Sequence, residues 1–372
     1  MNRPGLPLLA ISLFTLLGPL PAESAEPLAR RCLYLQRNLQ VKENAESSVE
    51  LLRRAKKAGY NGVVLADYKL NILDRVPAHY FENAERVKRA AAELELEIIP
   101  CVAPFGYSDG LLAHDPNLAE GIPVNGTPLI VRGRTAELAS TLGNALPGGG
   151  FEAHMNYLVP GWSFQDEPGK LSFVDSEVKH GGASSLRWEG SEGNARVSKL
   201  VTLEPWRQYH ARVWIRTEGY QAAGQVRLFA MSTSGRVLSH SNLGVKPDQD
   251  WTEHHIVFNS LEEREVRIYC GTWGIRGGRL WMDDLALEET AFVNLLRREG
   301  CPLTVRSADG AVYEEGRDFE RLIDPKMGNN PYAGSFDSWH EPPRLALTEN
   351  SRIREGARLD GAFSETAPTY AH

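Results

Sequence analysis

Between Gly148 and Glu289 the chain is a succession of short runs in which apolar and polar residues alternate, each run broken by Gly, Asp, Asn or Ser. A strand sends consecutive side chains to opposite faces, so this alternation reads as strands with one face on a core. Arg207 to Arg216 is the clearest run: Tyr209, Ala211, Val213 and Ile215 share one parity, and His210, Arg212, Trp214 and Arg216 share the other. The same split separates Val226, Leu228 and Ala230 from Arg227, Phe229 and Met231, and Val266, Ile268 and Cys270 from Arg267, Tyr269 and Gly271. Many such strands close as an all-β jelly-roll sandwich. One parity builds its core, and the other carries rings and guanidinium groups.

Punctuating landmarks run through the same stretch: Gly149-Gly150-Phe151-Glu152, Gly161-Trp162, His180 to Trp188, Asp250 to Phe258, and the closing Trp281-Met282-Asp283-Asp284. On these residues the segment 148–289 resembles the family 4 and 9 carbohydrate-binding modules. The resemblance implies a polysaccharide ligand and a structural calcium joining the first strand to the last, held by Glu152 with Asp283 or Asp284. Calcium takes several hard oxygen ligands, which carboxylates supply; the alternative for each acid is a capping or turn carboxylate without metal. A sugar ring stacks its C–H face on an aromatic ring while its hydroxyls take hydrogen bonds. Trp214, Phe229 and Tyr269, interleaved with Arg212, Arg227 and Arg267, are the expected carbohydrate-binding set. Equally open is that a neighbouring segment covers these rings, making them interdomain core. Trp162, Trp188 and Trp251 read as fillers of the sandwich or its edges. His254 and His255 occupy opposite parities, which argues against a shared metal.

The remaining sequence flanks this module. At 372 residues the chain has room for more than one domain. Apolar residues at 42% and charged residues at 24% are those of a folded protein. A net charge of −7 without any Lys/Arg cluster argues against nucleic acid. Residues 1–25 have a basic start at Arg3, an apolar run from Leu6 to Leu20 broken by prolines, and small residues Ala22 and Ser24. This is the pattern of a cleaved export signal, with no membrane span left after cleavage and a secreted or periplasmic location expected. Cys32, Cys101, Cys270 and Cys301 have no metal-like spacing and are expected as free thiols.

From Arg31 to Gly106 the pattern alternates strand, helix, strand, helix, strand. Such repeats build parallel sheets, and with no Gly-rich phosphate loop after the first strand a partial (β/α) barrel over 30–147 is the expectation. The segment resembles the start of barrel domains in bacterial glycoside-hydrolase-like proteins that carry an inserted binding module. In such a barrel the residues after the strands would face an active site, here Asp67 and Asp109 among them. Asp115 and Glu120 sit in a polar loop further on. A glycosidase needs two carboxyl groups held across the scissile bond, and no such pair is identifiable, so the catalytic residues are unassigned. Residues 290–372 read as a strand- and loop-rich tail leading toward a missing barrel remainder, with an ending that resembles a truncated chain. The leading expectation is an exported glycan-binding protein; the alternatives are an active glycoside hydrolase and a structural or adhesive surface protein.

Overall fold

A computed structural model describes residues 28–102, 109–239, 243–327 and 339–366; the expected signal, 1–25, lies outside them. The chain divides into two compact units, one containing residues up to Asp67 together with Pro77–Cys101, the other the rest.

In the first unit β1 (Cys32–Gln36), α1 (Lys42–Lys57), β2 (Gly62–Ala66), α2 (Ala78–Glu93) and β3 (Glu97–Cys101) alternate in sequence. The strands form a parallel sheet in the order β1-β2-β3. Leu35, Val63 and Leu65 are buried, as are Ala45, Val49 and Leu52 of α1 and Tyr80, Val87 and Ala91 of α2, the spacing that puts one stripe of each helix inward. Three βα strands are present as the pattern predicts, but the described residues do not close a barrel.

The second unit holds the 3-10 turn Tyr68–Asn71 and, beyond Val102, the short helix α3 (Asp109–His114), and is otherwise mostly β. Strands β4 (Ile122–Arg132) and β5 (Thr135–Leu138) come first. Then follow β6 (Phe164–Gln165), β7 (Ser172–Asp175), β8 (Ser185–Glu189), β9 (Ala195–Thr202), β10 (Gln208–Glu218), β11 (Val226–Ser232), β12 (Gln249–Asn259), β13 (Glu265–Thr272) and β14 (Arg279–Thr290). These nine make the expected sandwich, with sheets ordered β12-β10-β14-β8-β7 and β11-β13-β9-β6. The parity read from the sequence holds: Tyr209, Ala211, Val213 and Ile215 meet Val226, Leu228, Ala230, Val266, Ile268 and Cys270 in one core, with Trp188 fully buried among them. At about 25 cal/mol per Å² of apolar surface, each large side chain in this core contributes roughly 1.5–3 kcal/mol over its exposed state. The module's opening glycines have a steric reason. A Cβ on Gly149 would lie 1.7 Å from the Leu285 carbonyl oxygen, so only glycine lets the first segment lie against β14 there.

The flanks do not behave as two separate segments. After the sandwich come β15 (Thr304–Ser307), β16 (Val312–Tyr313), β17 (Leu345–Ala346) and β18 (Arg358–Glu365), and the sheet they join runs β16-β15-β18-β4-β5-β17. Thus β4 and β5, which the pattern assigned to a barrel segment ending at 147, pair with strands from the tail, which was expected to lead toward missing barrel units. The tail turns back because β18 alternates Leu359, Gly361 and Phe363 inward and zips antiparallel onto β4. Val124, Leu129, Val131, Phe292, Val305, Phe319, Leu345 and Phe363 fill this second core. The sandwich is therefore inserted into a six-stranded sheet between β5 and β15. Its entry and exit lie side by side: the Ala145 N–H donates to the Leu287 carbonyl at 2.8 Å, and the Leu287 N–H donates to Asn144 Oδ1 at 3.1 Å. Adjacent ends are what an inserted module requires.

At the joint Glu365 is buried, its two oxygens accepting hydrogen bonds from the amides of Gln208 and Asn259. Gln208 also clamps Val293 through both its amide atoms, at 2.8 and 3.1 Å. No helix among the described residues is long and apolar enough to cross a membrane.

Candidate functional site

The six expected binding residues all point outward from the sandwich, but not to one side. Trp214 and Arg212 stand on β10, in the five-stranded sheet, whereas Phe229, Tyr269, Arg227 and Arg267 stand on β11 and β13, in the four-stranded sheet. Outward parity on two opposed sheets means opposite surfaces of the module. A single groove containing all six does not form.

On the five-stranded side Trp214 is already stacked. The His180 ring lies on it with centroids 3.9 Å apart and planes within 12°, and Trp251 meets His180 edge-on at 5.8 Å. The loop bearing His180 is held by backbone hydrogen bonds: Asp283 Oδ2 accepts from the N–H groups of His180 and Gly181 at 2.8 and 3.1 Å, and Asp283 Oδ1 accepts from Asp284 N–H at 2.8 Å. Burial pushes the Asp283 carboxyl up to about 6, against the pull of these donors. Asp284, in the left-handed region at φ 48°, turns its carboxylate to His180 Nδ1 at 2.7 Å. Further along the same surface Arg212 pairs with Glu253 at 3.3 Å, and His210 Nε2 contacts His255 Nδ1 at 3.0 Å. Trp339, from the segment before β17, lies flat on His210 at 3.5 Å and 2°. Burial, then His255 and Arg212, push the His210 imidazole down to about 3. At these positions the outward rings stack on other rings of the protein, Trp214 on His180 from within the module and His210 on Trp339 from the tail.

On the four-stranded side Phe229, Tyr269 and Trp273 are intermediate in burial, as Trp214 is. Phe229 and Tyr269, cross-strand neighbours, stack at 5.1 Å and 11°. Trp273 tilts against both, at 5.0 and 6.2 Å, forming a corner of three half-buried rings. Arg196 lies 5.6 Å from the Trp273 ring and 5.6 Å from Phe164, with its guanidinium Nε 2.7 Å from Asp166. Between Arg196 and Arg227, Gly271 leaves the row without a side chain; at φ 140°, its Cβ would sit 2.2 Å from the Ala195 carbonyl oxygen. Trp273, Arg196, Asp166 and Phe164 were not singled out from the sequence. The signal for Trp273 was present, since it continues the outward parity of Arg267, Tyr269 and Gly271 one step past the strand.

The three acids of the expected metal set come together around one loop but differ in use. Both oxygens of Asp283 are taken by backbone N–H groups, as above. Glu152 Oε2 accepts from Ala183 N–H at 2.7 Å. A Cβ on Gly182 would lie 1.7 Å from Glu152 Oε1 and one on Gly181 2.7 Å from Asp284 Oδ2, so these two glycines let both acids lie against the His180 loop. Among the described residues no group of three or more His, Cys, Asp or Glu side chains is arranged to hold a metal ion.

Of the strand-end acids in the first unit, Asp67 is buried and its Oδ2 accepts from the Leu39 N–H at 2.8 Å, fixing the loop after β1. Asp115 caps the turn Pro116–Leu118 through the Asn117 N–H at 3.0 Å, and Glu120 is exposed. The Asp109 side chain and the loop 104–108 lie outside the described residues.

No protein-family model and no curated protein matches the chain. Among solved structures it is similar to an arabinose-bound α-L-arabinofuranosidase, at 14% identity over 40% of this chain, with TM-score 0.33; the chain spans 27% of that protein's length. It is also similar to TmCBM61 in complex with β-1,4-galactotriose (20% identity, 40% of this chain and 99% of that one, TM-score 0.30). A third is the CBM22-1 xylan-binding domain of Xyn10C from Paenibacillus barcinonensis (15% identity, 41% and 97%, TM-score 0.32). At such identities and scores, function rests on the two surfaces themselves.

Proposed function

We propose that the chain is an exported glycan-binding protein that takes polysaccharide on the outer surface of the four-stranded sheet. The observation that carries this is the corner of three partly exposed rings, Phe229, Tyr269 and Trp273, with arginines on the same sheet surface. Apolar C–H faces of a sugar would pack on the rings, and Arg227, Arg267 and the Arg196–Asp166 pair would take its hydroxyls. No covalent step is involved. Affinity electrophoresis of the full chain through gels containing a panel of polysaccharides tests the reading: retardation that Tyr269→Ala and Trp273→Ala both reduce is expected. Retardation insensitive to both changes sinks the assignment of the surface.

The Glu152 and Asp284 carboxylates beside the His180 loop fit calcium in their chemistry, offering hard oxygens. Glu152 and Asp284 would hold the ion, which would tie the first segment of the module to β14. Asp283 instead holds the backbone of the His180 loop and is outside the proposed ligand set.

A further inference from the structure

We infer that the polysaccharide bound on the four-stranded sheet is acidic, carrying uronate carboxylates or sulfate esters; this rests on the glycan-binding reading and narrows it. The register sets out the surface in rows. Arg227, Gly271 and Arg196 stand opposite one another, then Phe229, Tyr269 and Ser198, then Met231, Arg267 and Leu200. Arg227 and Arg267 thus flank the aromatic row, each about 7 Å along its strand from it. Their Cα atoms are separated by one strand spacing and four residues, about 14 Å, which suits an extended chain charged on more than one sugar.

What distinguishes these two arginines is the absence of an answering carboxylate. On the five-stranded side Arg212 pairs with Glu253, Arg216 with Glu218 and Asp250, and Arg187 with Asp175. On the four-stranded side Arg196 has Asp166. Among the described residues Arg227 and Arg267 have no ion-pair partner, although the chain has 48 acids to 41 lysines and arginines. Glu265, two residues before Arg267 on the same parity, is exposed and makes no pair with it. Both residues are intermediate in burial, and attraction for an anion is less screened at a partly buried position than in bulk water. A planar guanidinium matches the two oxygens of a carboxylate or sulfate, and such charge-assisted bonds are about twice as strong as bonds to neutral hydroxyls.

The test is affinity electrophoresis of the full chain against xylan and galactan as neutral probes, hyaluronan as a carboxylate probe and dextran sulfate as a sulfate probe. The expected result is stronger retardation by at least one acidic probe, with the probe that wins identifying the anion. The double variant Arg227→Gln/Arg267→Gln should lose about tenfold in affinity for that probe and little for the neutral ones. Arg279→Gln, which removes an exposed arginine paired with Glu218 on the five-stranded sheet, should lose none. Neutral probes binding as well as acidic ones, or an equal loss on Arg279→Gln, would overturn the acidic ligand while leaving glycan binding in place. Failure of the parent to bind any probe would overturn both. The double variant's melting temperature, unchanged from the parent, confirms that a loss is local.

Discussion

Trp214 and Trp273 are both outward-facing tryptophans, yet their neighbours give them different work. One ring face of Trp214 is taken by His180, so its contact is internal and its loss should appear in stability. Trp273 and Tyr269 meet at a corner of partly exposed rings on the other sheet. Stacking a sugar there is worth on the order of 1 kcal/mol per ring, or about fivefold in affinity. We therefore expect Trp273→Ala and Tyr269→Ala to weaken polysaccharide binding about fivefold each, while Trp214→Ala keeps affinity within about twofold and lowers the melting temperature. Titrations of the three variants beside melting curves decide it; a larger loss of binding for Trp214→Ala than for Tyr269→Ala would return the site to the five-stranded side. The orientation of all three rings was legible in the sequence, because alternation along a strand is a local property. Which sheet each strand joins was not, since β10 pairs with β12 and β14 while β11 pairs with β13, and those choices are made between distant segments.

The loop that precedes β8 depends on β14 and on the module's first segment together. Asp283 gathers its N–H groups, Glu152 takes Ala183, and Glu152 and Asp284 lie against Gly182 and Gly181 of the loop. An ion bound only by the folded state raises stability by mass action. Melting of the parent in millimolar calcium should therefore exceed melting in chelator, and Glu152→Ala and Asp284→Ala should each abolish the difference. Asp283→Ala should lower the melting temperature in both conditions, because it strands three backbone donors. Coincident parent curves with and without calcium would remove the metal. The resemblance to carbohydrate-binding modules brought these acids forward, but it did not separate Asp283 from Asp284. That distinction lies in the left-handed turn at Asp284, which alternation does not report.

Across the whole molecule the sandwich and the six-stranded sheet meet at Glu365. Its burial pushes the carboxyl up to about 8, outweighing the two amide hydrogen bonds that pull it down. Because the folded-state value lies above the unfolded value of 4.5, the protein holds this proton more tightly when folded, and stability falls as pH rises between the two. Glu365→Gln, a neutral isostere, should melt like the parent near pH 5 and above it near pH 9. Equal slopes of melting temperature against pH for the two proteins would refute the assignment. The resemblance carried an inserted module, but the sheet that receives it was hidden in the sequence, since Ile130 of β4 finds its partner at Arg358 of β18, far beyond any periodicity. The side-by-side entry and exit at Ala145 and Leu287 also have a mechanical meaning. A pull on a ligand held by the sandwich reaches the six-stranded sheet through two covalent tethers loaded in parallel, so each peptide connection bears only part of the tension, as a two-legged shackle does.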